Sequence, residues 1–431
     1  MKSIRLGEIA KIEISGVDKK SFDNETPVRL CNFVDVYYNW AITSDMYSAF
    51  MEATAKPSEV ERFSLKTGQV ALTKDSETRD DIGIPAYIAN DFDGVILGYH
   101  NALITPDKSQ LDGKYLNALL HTDYARLYFS RNASGSGQRY SLSVDALESF
   151  PVLLPSLDEQ IRIGRFFSRI DQKIRLNRSI NHYLEEMAKQ LYDYWFVQFD
   201  FPDENGRPYK SSGGKMIYNE KLKRGIPASW EVAVINDIAE VFNGATPSTS
   251  NEHYYGGEVI WITPKDLSDQ KQKFVYKGER NISKAGYDSC STHLLPINTV
   301  LMSSRAPIGL LAIAKAELCT NQGFKSFVPK EDRIATYLYY YLQSHIKQIE
   351  QLGTGTTFKE VSREDVIKFP ILKPCDMVLN LWNERVAVIN DRQLELQIEN
   401  EHLTKLQNEL LPLLMNGQVS VTPLNNDLSL D

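Results

Sequence analysis

The sequence is written twice. LGEIAKIEISG at 6–16 returns as INDIAEVFNG at 235–244, GQVALTKDSE at 68–77 as NTVLMSSRAP at 298–307, and HNALITPD at 100–107 as NQGFKSFVP at 321–329. The agreement then tightens. SGSGQRYSLSVDALESFPVLLP at 134–155 runs against LGTGTTFKEVSREDVIKFPILKP at 352–374 with one small gap. From Pro151 and Pro370 onward the offset is constant. A repeat of about 220 residues, with its phrases in fixed order, constrains the fold more than any single motif, because each copy must be a complete structural unit with its own core.

Each copy has two parts. The bodies, 1–150 and 230–372, carry short β-rich runs (VRLCNFVDVYY, GEVIWIT, TVLMSS, LLAIAKA, FKSFV) between turns. A helical stretch follows in each (KYLNALLHTDYARLYFSR, ATYLYYYLQSHIKQIEQL), so each body reads as a mixed α+β domain. After each body comes a long helical segment, 158–196 and about 380–415. Neither contains Pro or Gly between Gly164 and Pro412 within its seam, so each can run roughly 45–60 Å at about 1.5 Å per residue. Placing Ile163 at heptad position a puts Ile170, Asn177, Leu184 and Leu191 at a, with Phe166, Ile180, Met187 and Tyr194 at d and Lys173 as the exception. In the second segment Trp382, Ile389, Leu396, Leu403 and Leu410 fall at a. Its d positions are Arg385, Arg392, Glu399, Leu406 and Leu413, a poorer seam in its first half. Because both segments occupy the same place in the repeat, they are expected to pair antiparallel, with Asn177 fixing the register. The competing reading is two separate amphipathic helices, each lying on its own globular domain.

The expected architecture is therefore α+β, an internal two-fold repeat of two similar domains separated by a pair of long antiparallel helices. Its expected divisions are a first domain at 1–155, a first spacer helix at 156–200 and a connector at 201–229. A second domain follows at 230–374, then a second spacer helix at 375–419 and a tail at 420–431. The connector is rich in Pro, Gly, Ser and charge and reads as exposed and flexible.

Composition narrows the function classes. The start MKSIRLGEIAKIEISG lacks the apolar core of a signal peptide, and no apolar run approaches the roughly 18 to 20 residues that span a bilayer. Cys31, Cys290, Cys319 and Cys375 are scattered, with no CxxC pair to suggest zinc or a disulfide framework. The expected location is the cytoplasm. The net charge of −8 is unusual for a chain that would grip a polyanion. Only the stretch 151–229 is net basic, so tight DNA binding would need positive charge from a partner.

Catalytic signatures do not emerge. There is no Pro-Pro for an adenine methyltransferase motif, and GRPYKSSGGKM at 206–216 has the wrong spacing for a P-loop. Asp107 with Asp112 and Lys114 superficially resembles a metal nuclease set but sits in a polar turn. The seven His residues form no HExxH, and no G-x-S-x-G elbow appears. What remains is recognition by side chains on turns, where polar groups reach outward. In the first body the candidates are Lys74, Arg79, Asn101, Gln138, Arg139 and Tyr140. In the second they are Thr246, Ser248, Lys265, Arg305, Gln322, Lys325 and Lys359.

The central stretch carries a resemblance. FPVLLPSLDEQIRIGRFFSRIDQKIRLNRSIN, then LEEMAKQLYDYWFVQFDFP, GRPYKSSGGKM and IPASW, resembles the middle of the specificity subunits of type I restriction-modification systems. GGEVIWITPKDLSD, SSRAPIG, TNQGFKSF and GTTFKEVS in the second body, and the closing ELLPLLMNGQVSV, are similar to the same family. The resemblance implies a non-enzymatic, sequence-specific DNA-binding subunit whose two target-recognition domains each read one half of a bipartite double-stranded DNA target. It also implies docking of two methyltransferase subunits and of restriction subunits. S-adenosylmethionine, ATP and magnesium would then belong to those partners and no cofactor or metal to this chain. The alternative is a coiled-coil protein-interaction scaffold without DNA binding, which the acidic balance favours.

Overall fold

A computed structural model describes residues 2–135, 137–220, 222–270, 272–305, 307–354 and 359–421. Most of the expected tail, 420–431, lies outside the described residues. The chain divides into two compact units, one made of the residues up to Asn177 with those from Glu399 onward, the other of Arg178–Ile398.

The same topology is built in both units. In the first, a five-stranded sheet runs edge to edge as Ala10–Ile14, Asn101–Pro106, Val70–Thr73, Pro85–Ile88 and Ala41–Ile42. In the second it runs Ala239–Asn243, Phe324–Pro329, Val300–Ser303, Leu311–Ala314 and Phe274–Val275. The last pair is parallel in each sheet and the others are antiparallel. Registers agree residue for residue. Val70 faces Ile104 as Val300 faces Phe327, and Ile12 faces Ile104 as Val241 faces Phe327. A second, parallel pairing also recurs, Thr26–Cys31 with Val95–Leu97 and Trp261–Ile262 with Cys319–Thr320. So does the antiparallel strand closing each body onto its start, Lys2–Arg5 with Pro151–Leu154 and Glu231–Val234 with Pro370–Lys373. Tyr115 donates its hydroxyl proton to the Leu153 carbonyl, and Tyr337 does the same to Leu372. The strands Val70–Thr73 and Val300–Ser303 are buried throughout, as expected of sheet centres covered on both faces.

Two long helices, Leu157–Tyr192 and Asp376–Met415, pack together and are antiparallel. Residues 157–177 and 399–415 belong to the first unit, 178–192 and 376–398 to the second. Within the first unit, Ile163, Phe167, Ile170 and Ile174 share a core with Leu411, Leu414 and Met415, while Lys173 pairs with Glu399 at 3.1 Å. Within the second, the rings of Tyr192 and Trp382 lie 6.0 Å apart and Gln393 donates to the Asn181 carbonyl at 3.4 Å. Advancing along one helix therefore retreats along the other. Asn177, fully buried, donates to Glu399 at 2.8 Å and to Asn400 at 3.0 Å, a polar contact satisfied in only one register.

The seam differs from its expectation in one respect. Ile163, Ile170, Asn177, Trp382, Ile389 and Leu396 are buried, and Leu184, Leu191, Leu403 and Leu410 are half-buried against the cores. The second row, however, sits one residue further along. Phe167, Ile174, Ala188 and Trp195 are buried, whereas Met187 and Tyr194 are exposed. On the other helix Val386, Gln393, Gln407 and Leu414 are buried, while Arg385, Arg392 and Leu406 are exposed. The residues assigned to a behave as d, so the next inward position comes four residues later rather than three. The second row of this helix stays polar in the corrected phase, with Gln393 and Gln407 buried between Val386 and Leu414.

The connector also differs. Phe199, Phe201, Ile226 and Trp230 are buried in the core of the second unit, and Phe201 stacks on Tyr209 at 4.6 Å and on Trp230 at 5.1 Å. Between them Met216–Asn219 and Arg224–Pro227 form a hairpin. Aromatic anchors at the ends of the segment outweigh its polar middle, so it is a docked element rather than a free linker. Among the described residues no helix is long and apolar enough to cross a membrane.

Candidate nucleic-acid interface

In each body the candidate side chains gather where one central strand ends and its neighbour begins. In the first unit Val70–Thr73 ends at Lys74, whose N–H donates to the His100 carbonyl at 2.9 Å just before Asn101–Pro106 starts. In the second, Ser304 N–H donates to the Gly323 carbonyl at 2.8 Å at the equivalent point. A further short strand then meets the loop that leads back to the long helix. Asp75 faces Ser141 and Ser76 faces Tyr140 in one unit; Arg305 faces Glu360 in the other.

The side chains at these matched positions are different. In the first unit Asp75 is an acid nearly sealed from solvent, with 7% of its side chain exposed, and two cations and an imidazole surround it. Lys74 Nζ lies 2.9 Å and His100 Nδ1 2.6 Å from its Oδ2, with Arg139 Nη2 at 3.5 Å. Burial alone would raise the Asp75 carboxyl, but hydrogen bonds from Ser141, His100 and Lys74 outweigh it and hold the group below the usual carboxylate range. Arg139 is half-exposed and lies against the His100 ring, 2.9 Å from Nε2. Arg79 is exposed and stands over the Tyr140 ring at 5.0 Å, and Gln138 is exposed in the turn before Arg139.

In the second unit the cations and the acid exchange strands. Glu360 accepts from Arg305 Nε at 3.0 Å and from Lys325 Nζ at 3.3 Å. Thr246 donates its hydroxyl proton to Gln322, and Ala245 N–H donates to the Thr320 carbonyl at 3.0 Å, so the loop after Asn243 lies beside the one before Phe324. Gly244 allows this approach, since a Cβ there would stand 2.1 Å from the Asn321 carbonyl oxygen. Lys265 is exposed on the helix Pro264–Gln270 and pairs with Glu279 at 2.9 Å. Ser248 is exposed, 2.8 Å from Ser250, and Lys359 is exposed beside Glu360.

Two candidates do not fit a role at bases. Asn101 is fully buried and its amide donates to the carbonyls of Gly98 and Tyr99 at 3.1 and 3.3 Å, which shapes the loop instead. Lys325 is 4% exposed and committed to Glu360. Asn101 opens its strand and Lys325 is second in its own, and both strands are buried on both faces at that end, so either side chain is enclosed whichever way it points. Sequence reasoning in turn passed over Asp75 and His100. The signal was available in HNALITPD against NQGFKSFVP, where a histidine stands opposite a glycine. It also passed over Tyr38 and Tyr99, which are 74% and 43% exposed. Their loops are joined by the Gly98 N–H donating to the Cys31 carbonyl. Among the described residues no group of three or more His, Cys, Asp or Glu is placed to hold a metal ion.

Comparison with known proteins points the same way. A family model described as the type I restriction modification DNA specificity domain matches residues 1–186 and 227–375. Among curated proteins, the type I restriction enzyme MjaIX specificity subunit of Methanocaldococcus jannaschii is 36% identical over 204 residues, a match covering 47% of this chain and 46% of that protein. The type I restriction enzyme HindI specificity subunit of Haemophilus influenzae is 25% identical over 406 residues, covering 83% of this chain and 87% of that one. The chain thus spans less than half of the first relative and most of the second. Among solved structures, the S subunit of a type I restriction-modification system from M. genitalium aligns with a TM-score of 0.58 at 12% identity, over 96% of this chain and 95% of that one, which is a likeness of fold.

Proposed function

The chain belongs to the type I restriction modification DNA specificity family, and from that premise we propose that each of its two bodies reads a different half of a bipartite DNA target. It is the non-catalytic component of such a system, the one that recognises the target sequence within the complex. The observation that carries the bipartite reading is the pairing of identical scaffold with different side chains. At matched places the first body sets Asp75, His100 and Ser141 where the second sets Arg305, Gly323 and Glu360. One fold presenting two chemistries suits two unlike half-sites, because specificity lies in the site and not in the scaffold. Lys74, Arg79, Gln138, Arg139 and Tyr140 would serve the first half-site, and Thr246, Ser248, Lys265, Arg305, Gln322 and Lys359 the second.

The cations at both tips are largely committed to acids: Lys74 and Arg139 to Asp75, Arg305 and Lys325 to Glu360, Lys265 to Glu279. Paired cations are fixed in direction but add little net positive field, so phosphate neutralisation falls to partner subunits. Two methyltransferase subunits and restriction subunits would supply it, along with S-adenosylmethionine, ATP and magnesium. A docking face for such a partner is at hand. Tyr183 and Met187 on the first long helix, with Tyr194 and Val197 in the wider helical turn Asp193–Val197 that continues it, are 72%, 53%, 38% and 48% exposed and form an exposed apolar group in the second unit. A complex that acts on DNA inside the cell would be cytoplasmic.

Gel shifts with and without a co-expressed methyltransferase partner test this reading. Tight, target-selective binding is expected only with the partner, and no methyl transfer or cleavage from the purified chain given S-adenosylmethionine or magnesium and ATP. Turnover by the chain alone, or a complex indifferent to sequence, would overturn it. Within the complex, Arg305→Ala should cost about 1–3 kcal/mol on the specific target. Equal losses on target and random DNA would reassign Arg305 to a phosphate.

A further inference from the structure

We infer that His100 is a positioning residue that sets specificity at the first half-site: held in place by Asp75, it holds Arg139 to read a guanine. This deepens the bipartite reading and rests on it. His100 adopts φ of +73°, in the left-handed region that a side chain with a Cβ occupies only at a cost. In the second unit the matched residue is Gly323, whose carbonyl makes the same hydrogen bond to the neighbouring strand end. Gly323 makes that bond without a positive φ, so the link between the strands does not itself require the strained backbone, and the strain at His100 goes with what its side chain does.

The surroundings say what that is. Asp75 lies 2.6 Å from Nδ1 and is nearly sealed from solvent, so it fixes the ring proton on that nitrogen and fixes the ring plane with it. The Tyr99 ring flanks the imidazole, with centroids 3.8 Å apart. The Arg139 guanidinium rests against the ring, its Nη2 beside Nδ1 and 2.9 Å from Nε2; Arg139 is half-exposed, and 28% of the His100 side chain is open to solvent. Two nitrogen-bearing groups are thus locked side by side at a loop tip, backed by one carboxylate. With the ring proton on Nδ1, Nε2 accepts from Arg139, so the imidazole holds the guanidinium while the remaining guanidinium N–H groups match the paired acceptors O6 and N7 that guanine alone presents in the major groove. Asp75 touches no base in this arrangement. It is a positioning residue like His100, the buried anchor behind one exposed reader, Arg139.

The test uses the full chain co-expressed with its methyltransferase, with methylated sites mapped by sequencing and each half-site scored separately. His100→Gly should melt no lower than the parent, because glycine accepts the left-handed backbone freely. Yet discrimination at one base position of the first half-site should fall about ten- to a hundred-fold, with the second half-site unchanged. Asp75→Asn keeps the shape and removes the charge, and it should relax the same base position. Should His100→Gly prove less stable, His100→Asn, which also tolerates positive φ, carries the same expectation. Full discrimination at every base of the first half-site in these variants would overturn the inference. If exchanging the second body (Discussion) still rewrites the second half-site, only this inference has failed. If that exchange changes neither half-site, the bipartite reading fails with it.

Discussion

Replacing residues 231–373 with the corresponding segment of a relative should rewrite one half of the DNA target and leave the other half and the gap as they were. The boundaries follow from the strand pairing. Glu231–Val234 and Pro370–Lys373 pair with each other, so both must travel together or each is left with an unmatched edge. Trp230 stays behind, because its ring packs on Phe196, Phe199 and Phe201 outside the exchanged segment. Methylation of the original target should drop by about a thousand-fold or more, the usual separation between specific and non-specific binding. A new target sharing the old first half-site should appear in its place. Methylome sequencing of cells carrying the exchange measures both. A target altered in both halves would mean that the bodies do not read independently.

Much of this was legible in the sequence because the sequence repeats itself. The offset between Pro151 and Pro370 already implied that whatever one half builds, the other builds again, and the two sheets match even in register. The seam residues Ile163 to Leu191 and Trp382 to Leu410 were legible because apolar side chains recur every seven residues. Their phase was not. A row with Phe166 and Phe167 adjacent offers two choices three and four residues from Ile163, and only packing decides between them. The connector misled for a different reason. Pro, Gly and charge dominate its composition, while the few aromatic residues that decide its fate act through partners distant in sequence.

At the loop tips the limit was burial. Lys325 and Asn101 carry polar groups suited to bases, but both lie where their strands are buried on both faces. Composition cannot say whether a strand is covered on its second face until its neighbours are known. Asp75 was passed over because its role depends on His100 and Arg139, which are distant in sequence. Once it is buried behind Lys74, His100 and Arg139, it becomes the group that aims them. The acidic balance of the chain has the same origin in part, since each tip carries its own counter-charges.

The buried ammonium of Lys273 should give the second unit a stability that climbs with pH, and its partner Glu185 should be the residue it can least spare. Only 6% of the Lys273 side chain is exposed. Its Nζ lies 2.6 Å from the Tyr340 hydroxyl, 2.8 Å from Asn390, and 3.2 Å from both Glu185 and Gln393. These contacts tie the edge of the sheet to both long helices within that unit. Burial pulls the Lys273 pKa down from 10.5 to about 8, and the attraction of Glu185 offsets only part of that. Between about pH 8 and 10.5 the unfolded chain still holds a proton that the folded chain has released. Raising the pH through this window therefore favours the folded state, by on the order of 3 kcal/mol. Below pH 8 Lys273 is charged in both states and the gain is absent. Glu185→Gln leaves the ammonium among neutral acceptors only and should cost about 1–1.5 kcal/mol at pH 7, a loss capped because Lys273, with its pKa already near 8, can release its proton instead. Most of that loss should return near pH 10, where Lys273 no longer needs a counter-charge. Lys273→Met should cost less, because Glu185 is 26% exposed and can turn toward water. Urea melts of the parent and both variants at pH 7 and 10 decide the matter. A Glu185→Gln deficit that is the same at both pH values would show that charge is not what Glu185 contributes.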